Sequence, residues 1–151
     1  MTDEIKKLDR TGRLILRALQ EDARQPFSQI GRGVGLTGPA VAERVKRMQE
    51  EGLIRGYHVD LNPDKAGLPI RAFIRLRTPP ERYKRVLAIL KELPSVLECH
   101  HVTGDDAFFI RVAVNTTEAL EHIIAVLSPY GETSTAVVLS SPLQRELSWD
   151  E

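Results

Sequence analysis

The side chains best placed to do chemistry lie between Ser28 and Arg47. In GLTGPAVAERVKRMQEEG, Val41, Val45 and Met48 recur at i, i+4, i+7, the spacing that gathers them on one side of a helix. Removing that apolar stripe leaves Thr37, Gly38, Pro39, Ala40, Glu43, Arg44, Lys46 and Arg47 outside or flanking it. Cations on a solvent-facing helix suit phosphate oxygens, and a guanidinium also suits the paired acceptors of a guanine edge. Arg44 is the best candidate for a base edge, with Lys46 and Arg47 for phosphates, and Gly38 allows close backbone approach. Ser28, a candidate cap for the preceding helix, completes the set. A plainer reading competes: Arg44 and Lys46 pair with Glu43 or Glu50 and only solvate the helix.

A second group is VTGDDAFF, Val102 to Phe109. Gly-Asp between two strand patterns is ordinary hairpin chemistry, and those residues alone ask for nothing more. Elsewhere the chain is poor in reactive constellations. His100 and His101 are adjacent in a strand pattern, so they point to opposite faces and cannot share a metal. Cys99 is the only cysteine, which excludes a zinc motif and an intrachain disulfide and fits a reducing compartment. No glycine-rich phosphate loop or Ser/His/Asp spacing is present. Thr133, Ser134 and Thr135 read, by themselves, as β-prone residues of a sheet edge. No cofactor or resident metal is expected, and the chain does not read as an enzyme.

The elements that must position these residues follow from periodicity. Leu8, Leu14, Ile15, Ala18 and Leu19 keep helical spacing, and Asp9 can cap a first helix ending near Glu21. Ser28 caps a short second helix through Val34, Gly35 supplies a turn, and Leu36 fills the space between helices. Thr37 caps a third helix, Pro39 is tolerated in its first turn, and Gly52 stops it. Two short helices around a glycine turn, the second with a basic side, form the layout of a helix-turn-helix. LIRGYHVDL, Leu53 to Leu61, alternates as a strand would, and Asn62, Pro63 and Gly67 mark a linker. Beyond Pro69 the pattern changes. IRAFIRLR reads as a strand, ERYKRVLAILKEL as a helix, and SVLECHHVTG and DAFFIRVAV as strands joined at Gly104-Asp105. TEALEHIIAVL then reads as a helix and TSTAVVLSSP as a last strand. This β-α-β-β-α-β order is the ferredoxin-like split unit. One face of such a sheet lacks a helical cover. Strand alternation assigns Phe73, Cys99, His101 or Phe109 to it, and a face of that kind pairs with a second sheet.

The expected fold is therefore α+β: a helix-turn-helix domain over 1–60, a linker over 61–68 and a ferredoxin-like domain over 69–151. Twenty-one basic and 21 acidic residues cancel, so net charge makes no case for nucleic acid. Between Arg24 and Tyr57, however, six Lys/Arg face three acids. That modest excess implies weak binding per subunit, with affinity gained by holding several copies together. MTDEIKKLDR lacks the apolar core of a signal peptide, and no apolar run reaches membrane-spanning length. A soluble cytoplasmic protein is expected.

LDRTGRLILRALQEDAR, VGLTGPAVAERVKRMQEEGLIRGYHVDLNPDKAG, ECHHVTGDDAFFIRV and TSTAVVL, in that order, resemble the leucine-responsive regulatory protein/AsnC (Lrp/AsnC) family of transcription regulators. The resemblance runs from Leu8 to Pro142. It implies a DNA-binding N-terminal domain and a C-terminal domain that oligomerises, as dimers that often assemble to octamers, and binds an amino acid or related metabolite. Carried onto this sequence, the family's effector loop falls on Val102, Thr103, Gly104 and Asp105, opposite Thr133, Ser134 and Thr135. Backbone N–H groups of that loop suit a carboxylate, and Asp105 or a hydroxyl suits an ammonium.

The chain also departs from the family pattern. Gly12 stands where a second acid is usual, so the first helix is expected to begin late or fray. Gly31, Gly33 and Gly35 load the second helix with glycine, at about 1 kcal/mol for each interior one. Ala107 replaces the second acid of the loop. The reading is an effector-tuned, sequence-specific regulator that binds double-stranded DNA and itself. Two alternatives stand beside it. One is a ligand-independent architectural DNA-binding protein. The other is an enzyme like the sirohaem decarboxylases, for which His100, His101 and Arg111 are the available material.

Overall fold

The structure, a computed structural model, describes residues 8–144. The outer ends of the two expected domains, residues 1–7 and 145–151, lie outside the described residues. The chain forms two compact units, the first reaching Val59 and the second covering Asp60–Gln144.

The first unit holds three helices, α1 (Arg10–Glu21), α2 (Phe27–Val34) and α3 (Gly38–Glu50). Asp9 caps α1 by accepting the Gly12 N–H at 2.7 Å, so the helix starts at Arg10 despite Gly12 rather than late. Ile15, Leu19, Ile30, Val41 and Val45 close a core that Leu36 and Ile54 partly cover. Thr37 caps α3 through the Ala40 N–H, as its spacing predicts. Ser28 does not cap α2. That helix begins one residue earlier, at Phe27, with Pro26 before it and no side-chain cap. Pro26 instead offers its carbonyl to the N–H groups of Gln29 and Ile30.

The turn between α2 and α3 explains two of the three glycines. Gly35 takes a left-handed φ of 70°, which ends α2 without strain. Gly31 is buried, and a Cβ there would sit 2.4 Å from the Leu36 carbonyl oxygen. Nothing in the structure accounts for Gly33, whose missing Cβ faces open space.

The strand expected from Leu53 to Leu61 does not form. A lone extended segment leaves its backbone groups without a ladder, and no neighbouring strand is present among the described residues. Tyr57, Val59 and Leu61 along it are exposed. The 62–68 stretch is an ordered turn, with Asn62 accepting the Lys65 and Ala66 N–H groups and Pro63 accepting that of Leu68.

The second unit runs β1 (Ile70–Arg77), α4 (Tyr83–Glu92), β2 (Val96–His101), β3 (Phe108–Val114), α5 (Thr117–Leu127) and β4 (Glu132–Val137). The sheet is antiparallel in the order β2-β3-β1-β4, the split β-α-β-β-α-β arrangement. Ala72, Ile74 and Leu76 of β1 and Phe108, Ile110 and Val112 of β3 face the helices, packing with Val86, Leu90, Leu120, Ile123 and Leu127. Three strands are shorter than their patterns suggest, β2 at both ends among them. Ala107 spends its N–H on the Leu76 carbonyl at the loop, so β3 starts at Phe108. The last strand ends at Val137, one residue before Val138 donates to Arg71.

The uncovered face carries Phe73 and Phe109, but not Cys99 or His101. A register shift between Val96 and Glu98 sets Cys99 opposite Ile110 and His101 opposite Phe108, both on the helix side. Cys99 packs against the core there, and the His101 ring lies against Tyr83 and Phe108 at centroid distances of 4.9 and 5.3 Å.

Candidate functional site

Helix α3 presents its N-terminal turn and one long side to solvent. Thr37, Pro39, Glu43, Lys46 and Arg47 are exposed, while Gly38 and Ala40 are half-buried. Gly38 lies so close to α2 that a Cβ would stand 3.3 Å from the Ser28 backbone, which joins the starts of the two helices. Small residues at this end admit another surface to the backbone, and longer cationic side chains follow one turn later. Such a gradient fits a helix laid into a groove between two phosphate rails.

The cations differ in their freedom. Lys46 faces Glu50 one turn away at 3.7 Å with both ends in solvent, a weak pair that leaves the ammonium available. The paired reading of Lys46 is thus correct, and it costs little. Arg44 is placed otherwise than its sequence position implies. It flanks the buried Val41/Val45 stripe, and its Nη1 donates to Asp9 Oδ1 at 3.0 Å, bridging α3 to the start of α1. Neither Glu43 nor Glu50 is its partner. The Gly12 backbone N–H is the main cause that lowers the Asp9 carboxyl below its ordinary range, with Arg44 assisting.

In the second unit, the Val102–Ala107 loop closes through the Val102 N–H to the Ala107 carbonyl at 3.1 Å, with Gly104 at φ 110°. Asp105 projects into solvent, 3.7 Å from Arg77, and Asp106 stands 3.8 Å from Arg75. Arg77 also faces Glu132 at 3.8 Å, and Arg75 donates to the Ser134 hydroxyl at 2.9 Å. The structure therefore brings Asp105 and Ser134 to one face, joined through two arginines of β1. It does not bring Thr133 and Thr135 there. They pair with Leu76 and Ile74 and so project to the helix side. Arg75 and Arg77 are additions that the IRAFIRLR alternation could have suggested, since it sets Arg71, Phe73, Arg75 and Arg77 on one face, whereas Asp106 and Glu132 join through sheet pairing.

The residues proposed for tetrapyrrole chemistry do not converge. His100 and Arg111 both bond Glu98, at 3.1 and 2.5 Å, whereas His101 lies on the opposite face. Those bonds, Arg111 first, pull the Glu98 carboxyl below its usual range. Burial pushes the Cys99 thiol up, which lowers its thiolate fraction and so argues against a nucleophilic role. No group of three or more metal-ligating side chains occurs among the described residues. No helix among them is long and apolar enough to cross a membrane.

Comparison with known proteins gives these surfaces a context. Residues 8–49 match a family model described as the AsnC-type helix-turn-helix domain, and residues 71–147 one described as the Lrp/AsnC ligand binding domain. An uncharacterised HTH-type transcriptional regulator of Pyrococcus horikoshii is 36% identical over 138 residues, covering 89% of this chain and 87% of its own. The solved structure of Bacillus subtilis LrpC superposes with a TM-score of 0.86 at 28% identity, covering 92% of this chain and 99% of that one. A feast or famine regulatory protein from M. tuberculosis, solved in complex with L-methionine, superposes with a TM-score of 0.84 at 26% identity, covering 93% and 97%.

Proposed function

Because the chain belongs to the Lrp/AsnC family of helix-turn-helix transcriptional regulators, we propose a specific division of labour between its two units. Helix α3 enters the major groove of double-stranded DNA with Thr37, Gly38, Pro39 and Ala40 nearest the base edges. Lys46 and Arg47 meet phosphates, and Ser28 and Glu43 flank the contact. The observation that carries this reading is the solvent-facing run from the small N-terminal turn of α3 to its exposed cations. Base-edge contact by Arg44 is replaced by a phosphate contact, since its guanidinium is tethered beside the core. The family is one of regulators rather than enzymes, so the decarboxylase reading is set aside.

The second unit takes a small molecule, proposed to be an amino acid, at the Val102–Asp105 loop. Asp105 serves the ammonium, Arg77 or the Thr103–Gly104 backbone the carboxylate, and Ser134 a further polar contact. Support comes from the ligand-binding family model and from the L-methionine held by the M. tuberculosis relative. Thr133 and Thr135 contribute strand backbone rather than side chains. The open sheet face, with Phe73 and Phe109, pairs with a second copy, and dimers assemble further to an octamer or another closed form in the cytoplasm. A ligand-independent architectural role draws on one observation: Arg75 and Arg77 already face both loop acids.

Two titrations test this reading. The double substitution K46Q/R47Q should flatten the dependence of log affinity on log salt by about 2, roughly 0.9 per phosphate contact. An unchanged slope would remove α3 from the interface. Free amino acids should raise the melting midpoint of the wild type but not of Asp105→Ala, and equal shifts would move the effector elsewhere.

A further inference from the structure

We propose that Asp9 is a positioning residue for DNA binding: it holds the Arg44 guanidinium while that group's remaining N–H donors meet a backbone phosphate. This rests on the reading of α3 as the DNA-facing helix and adds to it a residue outside that helix.

Three observations carry it. Asp9 Oδ1 is already pinned by the Gly12 N–H at 2.7 Å, so it is a fixed anchor rather than a mobile acid. Arg44 spends one Nη on that anchor at 3.0 Å and has no other recorded partner among the described residues. A guanidinium carries five donors in a planar fork, so one arm can stay tied while others reach an anion. Finally, the pair is open to solvent on one side, with side-chain exposures of 39% for Arg44 and 52% for Asp9. The stem of Arg44 is thus fixed beside the buried stripe and its head is fixed by Asp9, while its outer edge remains open. Ordering a free arginine side chain on binding weakens affinity, and an arginine ordered in advance avoids that loss. The alternative is competition, in which Asp9 occupies Arg44 and a phosphate must displace it. The unused donors favour bridging over displacement.

A double-mutant cycle on duplex DNA separates these. Asp9→Ser keeps the cap, because serine caps a helix about as well as aspartate, while its shorter, uncharged side chain gives up the hold on Arg44, so the melting midpoint should hardly move. In the presence of Arg44 it should weaken binding about two- to tenfold, the loss expected from freeing one long side chain. In the R44Q background the same change should leave affinity equal or slightly tighter, because only a negative charge near DNA is removed. R44Q alone should flatten the salt dependence by about 0.9, the signature of one lost phosphate contact, which a purely structural clamp would not produce. An unchanged slope in R44Q, equal effects of D9S in both backgrounds, or tighter binding of D9S with Arg44 present would each overturn the proposal. K46Q/R47Q run alongside distinguishes that failure from failure of the α3 reading, which would leave all variants alike.

Discussion

The same substitution at two neighbouring positions of α2 should have opposite signs. At Gly31 a methyl group would lie 2.4 Å from the Leu36 carbonyl oxygen, which would have to retreat by about 0.6 Å to reach even 3.0 Å. That carbonyl belongs to the interhelical turn, and the Leu36 N–H is itself bonded back to the Gly31 carbonyl at 2.9 Å, so the turn cannot yield alone. Forcing atoms into a filled site costs about 1–3 kcal/mol, against which alanine returns about 1 kcal/mol of helix propensity. With rigid backbone as the obstacle, Gly31→Ala should destabilise the first unit by about 1–2 kcal/mol. Gly33→Ala meets nothing within 4 Å and should stabilise the same helix by up to about 1 kcal/mol. Urea melts of the full-length protein, followed by helix signal, would place the two midpoints on opposite sides of the wild type. An equal or greater stability of Gly31→Ala would refute the argument that packing, and not turn flexibility, requires that glycine.

Other expectations concern the second unit. Ile74→Ala, at a fully buried site in the middle strand, should lower stability by about 2–5 kcal/mol in calorimetry. Glu98 has a carboxyl pKa depressed below the ordinary 4.5, chiefly by Arg111 and then by His100. Its contribution is therefore complete above that value and is lost as pH falls through the lower folded value. Between about pH 5 and pH 3 the wild type should lose more stability than Glu98→Gln, and parallel losses would deny the pair any role. Cys99 has a raised thiol pKa, so it should react with iodoacetamide at pH 8 more slowly in the folded protein than after denaturation. Equal rates would show that its half-buried position does not protect it.

Much of this arrangement was legible in the residue pattern because it depends on local rules. Asp9 and Thr37 cap helices through hydrogen bonds three residues away, and the spacing alone announces them. IRAFIRLR and TEALEHIIAVL match β1 and α5 end to end. Two of the misses, the LIRGYHVDL strand and the partner of Arg44, turn on what lies far off in the chain, and the others on local geometry. LIRGYHVDL has a strand's alternation but no neighbour to pair with, and alternation says nothing about neighbours. Arg44 looks free on a helical wheel, because its partner belongs to another helix 35 residues earlier. The resemblance implies Thr133, Ser134 and Thr135 together, but strand alternation sends the two threonines to the other face. Gly31 resembled a defect in α2 until the Leu36 carbonyl was seen against it.

The register shift in β2 makes the place of a length change, more than residue identity, the sensitive quantity at that edge. Val96 faces Val112 and Glu98 faces Arg111, so Leu97 is the supernumerary residue, exposed and opposite nothing. Deleting it would leave Glu98 opposite Arg111, Cys99 opposite Ile110 and His101 opposite Phe108, so each side chain would keep its face and only the bulge would go. Position 97 should therefore accept many side chains and its own deletion in a library, whereas deleting Cys99 would set Glu98 or His100 inward against Ile110. Two single-residue deletions that look equally mild in an alignment would then lie at opposite ends of a fitness scale, one nearly silent and the other unable to fold its sheet.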